Sequence, residues 1–206
     1  MPATADSPIK AVLFDCDGVL QWPVAGWIEG IDALMERGTF AELDRREQTS
    51  AVTGQVPFRD VVAEYLDELG ETVEVDVLVA EWHKYDVWAD SLALVDQVRE
   101  RGVRCYVASN QQSDRLAYMR DHNGYERHFD EQFYSCELGV AKPDVAFFTT
   151  VLRGIRTPAE ETLFIDDKQA NVDAAASVQM IAERLDPREG PDGLRRILLS
   201  HGLLDG

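Results

Sequence analysis

The chain has 206 residues, 45% of them apolar, and a formal net charge of −18. That length allows one or two domains, and that apolar share can bury a sizeable core. The charge argues against nucleic acid or an anionic membrane as a partner, and against long-range steering of an anionic substrate, so a phosphate would have to be captured locally.

The three cysteines, Cys16, Cys105 and Cys136, are an odd and sparse set, which points to a reducing compartment and no disulfide framework. The start, MPATADSPIK, has no apolar signal core, and no stretch reaches the roughly 18 apolar residues of a membrane span. The expectation is a cytoplasmic protein, monomer or homodimer, with neither nucleic acid nor membrane as partner.

Residues 1–8 read as a loose tail. Residues 9–14, IKAVLF, form a continuous apolar run, the pattern of a strand buried on both faces. It stops at Asp15, Cys16, Asp17 and Gly18. Asp15 and Asp17, two apart in extended chain, share a face, and two carboxylates there repel unless a cation or proton lies between them. The same alternation turns Cys16 away. Taken alone, the stretch is also an ordinary acidic turn, since Asp-Gly is a common turn pair.

A loop at 18–23 follows. Four helices are then predicted at 27–37, 39–48, 58–69 and 75–84, with no convincing strand among them. Gly38 and Gly70 close the first and third. These form a compact insert of residues 21–89, hinged near Gln21 and Ala89, on a main body of residues 1–20 and 90–206. Strands and helices alternate again beyond it. Helices are expected at 91–101, 112–122, 144–153, 168–177 and 192–200. Strands are expected at 103–108, 132–135, 162–165 and 180–182. Strands separated by helices of about ten residues imply a doubly wound, Rossmann-like parallel sheet.

Three later stretches sit near strand ends: Ser109-Asn110 after VRCYVA, Lys142-Pro143 after ELGVA, and Asp166-Asp167 after TLFI. Each has a plain structural reading, as a turn or N-cap, a solvated lysine before a helix, or a helix cap. In open α/β sheets, however, ligands bind at the carboxyl ends of strands, where all four stretches would converge.

With FDCDGV they follow the order and spacing of one family. The chain resembles the haloacid-dehalogenase superfamily, in the group with a small helical cap inserted after the first strand, over about residues 9–186. The resemblance implies a Mg²⁺-dependent hydrolase of phosphate monoesters. Asp15 would be the nucleophile, forming an aspartyl-phosphate, and Asp17 the general acid and base. Ser109 and Asn110 would hold the phosphate, Asn110 through its amide or backbone, and Lys142 would neutralise both phosphate and nucleophile. Mg²⁺, a hard cation suited to oxygen ligands, would be held by Asp15, the backbone carbonyl of Asp17, and Asp166. Asp167 would support the metal shell, and Asn171 would stand behind it.

The half after the insert is similar to small sugar-phosphate phosphatases, of the group related to glucose-1-phosphate phosphatase and the N-terminal domain of soluble epoxide hydrolase. A small phosphate ester, a sugar phosphate first, is the expected substrate. Three alternatives stay open: a 2-haloacid dehalogenase, a sugar phosphomutase, and an inactive binding or scaffold member. Dehalogenases of the family typically lack the second aspartate, and a mutase needs a second phosphate site on the cap. The cap cations Arg37, Arg45, Arg46, Arg59 and Lys84 have no spacing that marks one. Trp22, Trp27, Trp82, His83 and Trp88 are candidates for the cap side of the crevice, though tryptophans at helical spacing usually belong to a core.

Overall fold

The computed structural model describes residues 8–205; the expected tail at 1–8 lies almost wholly outside them. The central strand is β1 (Ala11–Phe14), whose four side chains are all buried. After it come two very short strands, β2 (Gln21–Pro23) and β3 (Tyr85–Val87), with four α-helices between them. These are α1 (Trp27–Ala33), α2 (Phe40–Arg46), α3 (Phe58–Leu69) and α4 (Val75–Trp82), and a π-helical turn, Glu47–Ala51, continues α2. The rest alternates: α5 (Ala89–Glu100), β4 (Arg104–Ser109), α6 (Ser113–His122), β5 (Glu131–Tyr134), α7 (Ser135–Leu138), α8 (Val145–Ile155), β6 (Thr162–Asp166), α9 (Gln169–Ser177), β7 (Ile181–Arg184) and α10 (Gly190–Ser200).

The main sheet has the order β5-β4-β1-β6-β7, with every pairing parallel. The chain leaves β1 for one side of the sheet, then crosses back to the other. That makes β1 the switch point, where a crevice opens outside the strand ends. Its register sets the level of the site: Phe14 pairs with Val107 on β4 and Ile165 on β6. Asp15, Ser109 and Asp166 therefore emerge close together at one edge.

Alternation along the strands divides the core in two. Val12, Phe14, Val107 and Ile165 pack with Val95, Val98, Leu194 and Leu198 of α5 and α10. Leu13, Tyr106, Ala108 and Phe164 pack with Phe147, Phe148 and Val151 of α8. Burial on both faces is what removes the need for polar alternation in β1, β4 and β6.

The helical insert has a third core, dominated by aromatic rings. Trp82 is 1% exposed. Its ring stacks on Phe40 at 5.1 Å and meets Phe58 at 5.0 Å and Trp27 at 5.4 Å. Aromatic pairs at such spacings add to the area they bury. The insert meets the sheet's carboxyl edge at several points. Arg59 on α3 donates to Asp114 on α6 at 2.8 Å. The Ser135 hydroxyl donates to the Val52 carbonyl. Gly54 lies so close that a Cβ there would come within 2.2 Å of the Cys136 carbonyl oxygen.

Three expectations are corrected. The insert is not free of strands: β2 and β3 pair antiparallel, Trp22 opposite Asp86, at its two ends. Three residues each, one strand ending in proline, are too few to show a period of two. The first helix ends at Ala33, not 37, and the second gives way to the π turn at Glu47. The one-turn helix α7, at 135–138, is too short for a periodic signal.

Candidate active site

β1 delivers Asp15 to the crevice with its backbone N–H bonded to the Ile165 carbonyl at 3.0 Å. Three donors converge on one of its carboxylate oxygens, Oδ1: the Cys16 N–H at 2.8 Å, the Ser109 hydroxyl at 2.7 Å, and Lys142 Nζ at 2.9 Å. No hydrogen bond among the described residues reaches Oδ2. Lys142 also reaches Asp166 Oδ2 at 2.7 Å and the Ala108 carbonyl at 2.8 Å. Its three donors are thus spent in a buried place.

Asn110 fixes that lysine. Its amide donates to the Lys142 carbonyl at 2.8 Å, and its side-chain oxygen accepts the Lys142 N–H at 2.9 Å. The Asn110 amide therefore clamps the lysine's backbone, and of the two donors expected from this residue the backbone N–H is the one left for a ligand. Asp166 is held just as firmly: Asn171 Nδ2 lies 3.0 Å from both its oxygens, and the Lys168 N–H donates at 2.8 Å.

The electrostatics show a surplus of negative charge. Burial pushes the Asp15 carboxyl up to about 7, against the pull of Lys142. Burial, with Asp166 beside it, pushes Asp167 up to about 6. On Asp166 the same burial is outweighed by Lys142 and the Lys168 and Asn171 donors, which hold its carboxyl below the usual range. Burial opposes the charge on Lys142, and the two aspartates overcome it. Cys16 is fully buried and its thiol is pushed well above its ordinary value, first by burial and then by the two aspartates. A thiol in that state is a poor nucleophile.

A divalent cation fits this donor set. Asp15, Asp166 and Asp167 each offer a carboxylate oxygen, all within 4.8 Å of one another. Asp167 Oδ1 is buried and has no hydrogen-bond partner, a costly condition that a cation would relieve. Gly18 makes room for this aspartate: its φ is +82°, and a Cβ there would lie 2.9 Å from Asp167 Cβ and Cγ.

The Asp17 side chain does not join the three. It turns aside to Arg115 at 2.8 Å and Gln21 at 2.7 Å on Oδ1, and to Gln111 at 3.3 Å on Oδ2. Gln21 is in turn oriented by Asn123 and Tyr125. The Arg115 guanidinium is buried, 3.5 Å from the centre of the Tyr85 ring. Burial opposes its charge, and the Asp17 carboxylate beside it outweighs that opposition.

A cavity of about 240 Å³ opens between this edge and the insert, walled by residues that include Asp17, Gln111, Arg115 and Asp167 on one side and Glu47, Trp27, Phe40, Trp82 and Tyr85 on the other. Of the five aromatic or imidazole candidates for the cap side, Trp22, Trp27 and Trp82 line it; His83 stacks instead on Tyr118 at 4.7 Å. Four of the five cap cations pair with acids, Arg45 and Arg46 with Glu42, Lys84 with Glu81, and Arg59 with Asp76 and Asp114, while Arg37 donates to the Leu69 carbonyl at 2.7 Å. Sequence reasoning missed Gln21, Gln111, Arg115 and Glu47. Gln111 had a signal, as the next residue after Ser109-Asn110; the others are single polar residues on surfaces that read as helix or loop.

The model of one family, described as haloacid dehalogenase-like hydrolase, matches residues 9–179. The chain is 36% identical over 93 residues to the sesquiterpene phosphatase astK of Aspergillus oryzae, covering 45% of this chain and 47% of that protein. It is 25% identical over 199 residues to the phosphoserine phosphatase of Thermus thermophilus, covering 88% of this chain and 80% of that one. The chain thus spans about half the length of the first of these relatives. Among solved structures, a HAD family enzyme of Bacteroides thetaiotaomicron in complex with magnesium and inorganic phosphate superposes with a TM-score of 0.74 at 22% identity, over 87% of this chain and 95% of that one.

Proposed function

Since the chain belongs to the haloacid dehalogenase-like hydrolases, we propose that it is a Mg²⁺-dependent phosphatase of a small phosphate monoester, a sugar phosphate by preference. Residues 21–89 serve as a cap domain over a catalytic core formed by residues 1–20 and 90–206. The observation that carries the reading is the meeting of Asp15, Ser109, Lys142 and Asp166 at one strand edge, beside an Asp167 oxygen that lacks a partner. Relatives named as phosphatases agree with it. Their names give different leaving groups, so these leave the substrate open.

Asp15 Oδ2 attacks phosphorus in line with the ester oxygen. The P–O ester bond breaks, and the phosphoryl group passes to Asp15 as an acyl phosphate. Asp17 gives a proton to the departing alkoxide. It then takes a proton from the water that attacks the same phosphorus, releasing phosphate and restoring Asp15. The Asp17 carboxylate paired with Arg115 is placed for the second of these tasks; the first needs its protonated form. Ser109, the Asn110 backbone N–H and Lys142 face the charge that spreads over the equatorial oxygens. Asp15, Asp166, the Asp17 carbonyl and Asp167 would hold Mg²⁺, which would supply the positive charge that lets a phosphate approach this acidic edge. An Asp17 kept in place by three side chains supports a leaving group that needs a proton, as an alcohol does and a halide does not.

The test is a panel of phosphate monoesters and 2-haloacids, each with Mg²⁺ and with EDTA. Phosphate release that depends on Mg²⁺ is expected. Halide release indifferent to EDTA would overturn the proposal in favour of a dehalogenase. Transfer of phosphate between positions of one sugar would favour a mutase, and metal binding without any turnover a scaffold.

A further inference from the structure

Glu47 has no part in the phosphate chemistry, yet it sits in the cavity. It opens the π-helical turn after α2. Such turns interrupt a helix at a cost and are often found at functional sites. The residue is 8% exposed and lines the same cavity as Asp17, Arg115, Trp82 and Tyr85. Arg115 and Trp82, which line the cavity with it, both favour its ionised form, but burial outweighs them. It has no ion pair within 4 Å among the described residues, unlike Asp15, Asp17 and Asp166.

We infer that Glu47 selects the leaving group, exchanging hydrogen bonds with a hydroxyl of a small polyhydroxylated phosphate ester seated between the insert and the Asp17–Arg115 pair. This rests on the phosphatase reading and gives it a substrate class. Burial pushes the Glu47 carboxyl up to about 8, so at neutral pH it is mostly an uncharged group that both donates and accepts. That suits a hydroxyl, which does both. It also suits the place: a further ionised carboxylate beside Asp17 and Asp167 would repel the phosphate. Arg115 on the same wall disfavours a leaving group that carries an ammonium. Rings of Trp27, Trp82 and Tyr85 give apolar faces for the C–H side of such a molecule. The cavity, about 240 Å³, is smaller than the roughly 300–1,000 Å³ of pockets for drug-sized ligands, which limits the leaving group to a small one.

The experiment compares kcat/KM for a pentose or hexose phosphate with that for phenyl phosphate, whose leaving group has no further hydroxyl. The wild type, Glu47→Gln and Glu47→Leu are measured, with phosphoserine as a third substrate. The sugar-to-phenyl ratio is expected to fall tenfold or more in Glu47→Leu and to stay within about threefold of the wild type in Glu47→Gln, whose amide also donates and accepts. Glu47→Asp, which withdraws the carboxyl by one methylene, is the second variant should the leucine fail to fold, and its ratio should also fall. An unchanged ratio in Glu47→Leu or Glu47→Asp overturns the inference alone, because phenyl phosphate turnover still reports a phosphatase. A wild type that prefers phosphoserine, with that preference lost in Glu47→Gln, overturns it in favour of an ammonium. Absence of turnover on every ester defeats the phosphatase reading, and the inference with it.

Discussion

The two walls of the cavity are built on opposite plans. Along the sheet edge, polar groups hold one another: Lys142 bridges Asp15 and Asp166, Ser109 and the Cys16 N–H share the same Asp15 oxygen, and Asn110 and Asn171 fix the lysine and Asp166. Across the gap, the insert is held by aromatic packing, and its Glu47 faces the cavity from a turn. A charged network of this kind loses several groups' order when one member is removed. An aromatic core tolerates change on its surface. In the proposed reading the strands fix the reaction and the insert is free to choose what leaves.

The largest test of this contrast is Asp15→Asn. It keeps the shape and removes the nucleophile, so phosphate release should fall by at least ~10³-fold. The melting temperature should hold or rise, because one buried charge is gone from a site with a surplus. Turnover near the wild-type rate would show that the sheet edge is not where the reaction happens. Next comes Trp82→Ala, which empties the centre of the insert at a cost of about 3–5 kcal/mol. Amide exchange followed residue by residue should quicken in α1 to α4 well before it does in β1 and β4. Equal quickening everywhere would merge the two walls into one cooperative unit.

The smallest effect concerns pH. The Glu47 carboxyl is raised to about 8 in the fold, from an ordinary value of 4.5. Between those values the folded chain holds more protons than the unfolded one, so this group's contribution makes stability fall as pH rises from about 4.5 to 8. Glu47→Gln removes that slope. Its stability relative to the wild type should therefore improve between pH 5 and pH 8, by a few kcal/mol at most; a relative loss over that range would mean that Glu47 is ionised in the fold.

The sheet wall was legible in the chain because its signals are dense. AVLF, CYVA and LFI are unbroken apolar runs, and each ends at the polar residue that the crevice receives. The insert was legible as helices from Phe58, Val61, Val62, Tyr65 and Leu66, one face of α3 that proved buried. What escaped notice has no repeating pattern. β2 and β3 pair at the two ends of the insert, and the π turn runs into the buried Ala51 and Val52. Arg115 falls on the buried side of α6 beside Leu116 and Met119, and nothing in its neighbours distinguishes it from an exposed helix arginine. Its role depends on Asp17 and Tyr85, which are distant in sequence.

The closeness of Gly18 to Asp167 has a bearing on descent. Position 18 tolerates no side chain while the aspartate stands where it does, since even a methyl carbon would overlap it and the backbone there favours glycine. The aspartate, for its part, occupies room that only a glycine concedes. The dependence runs one way: position 18 cannot take a side chain until the aspartate moves, so the loop after β1 is confined by a residue that follows β6.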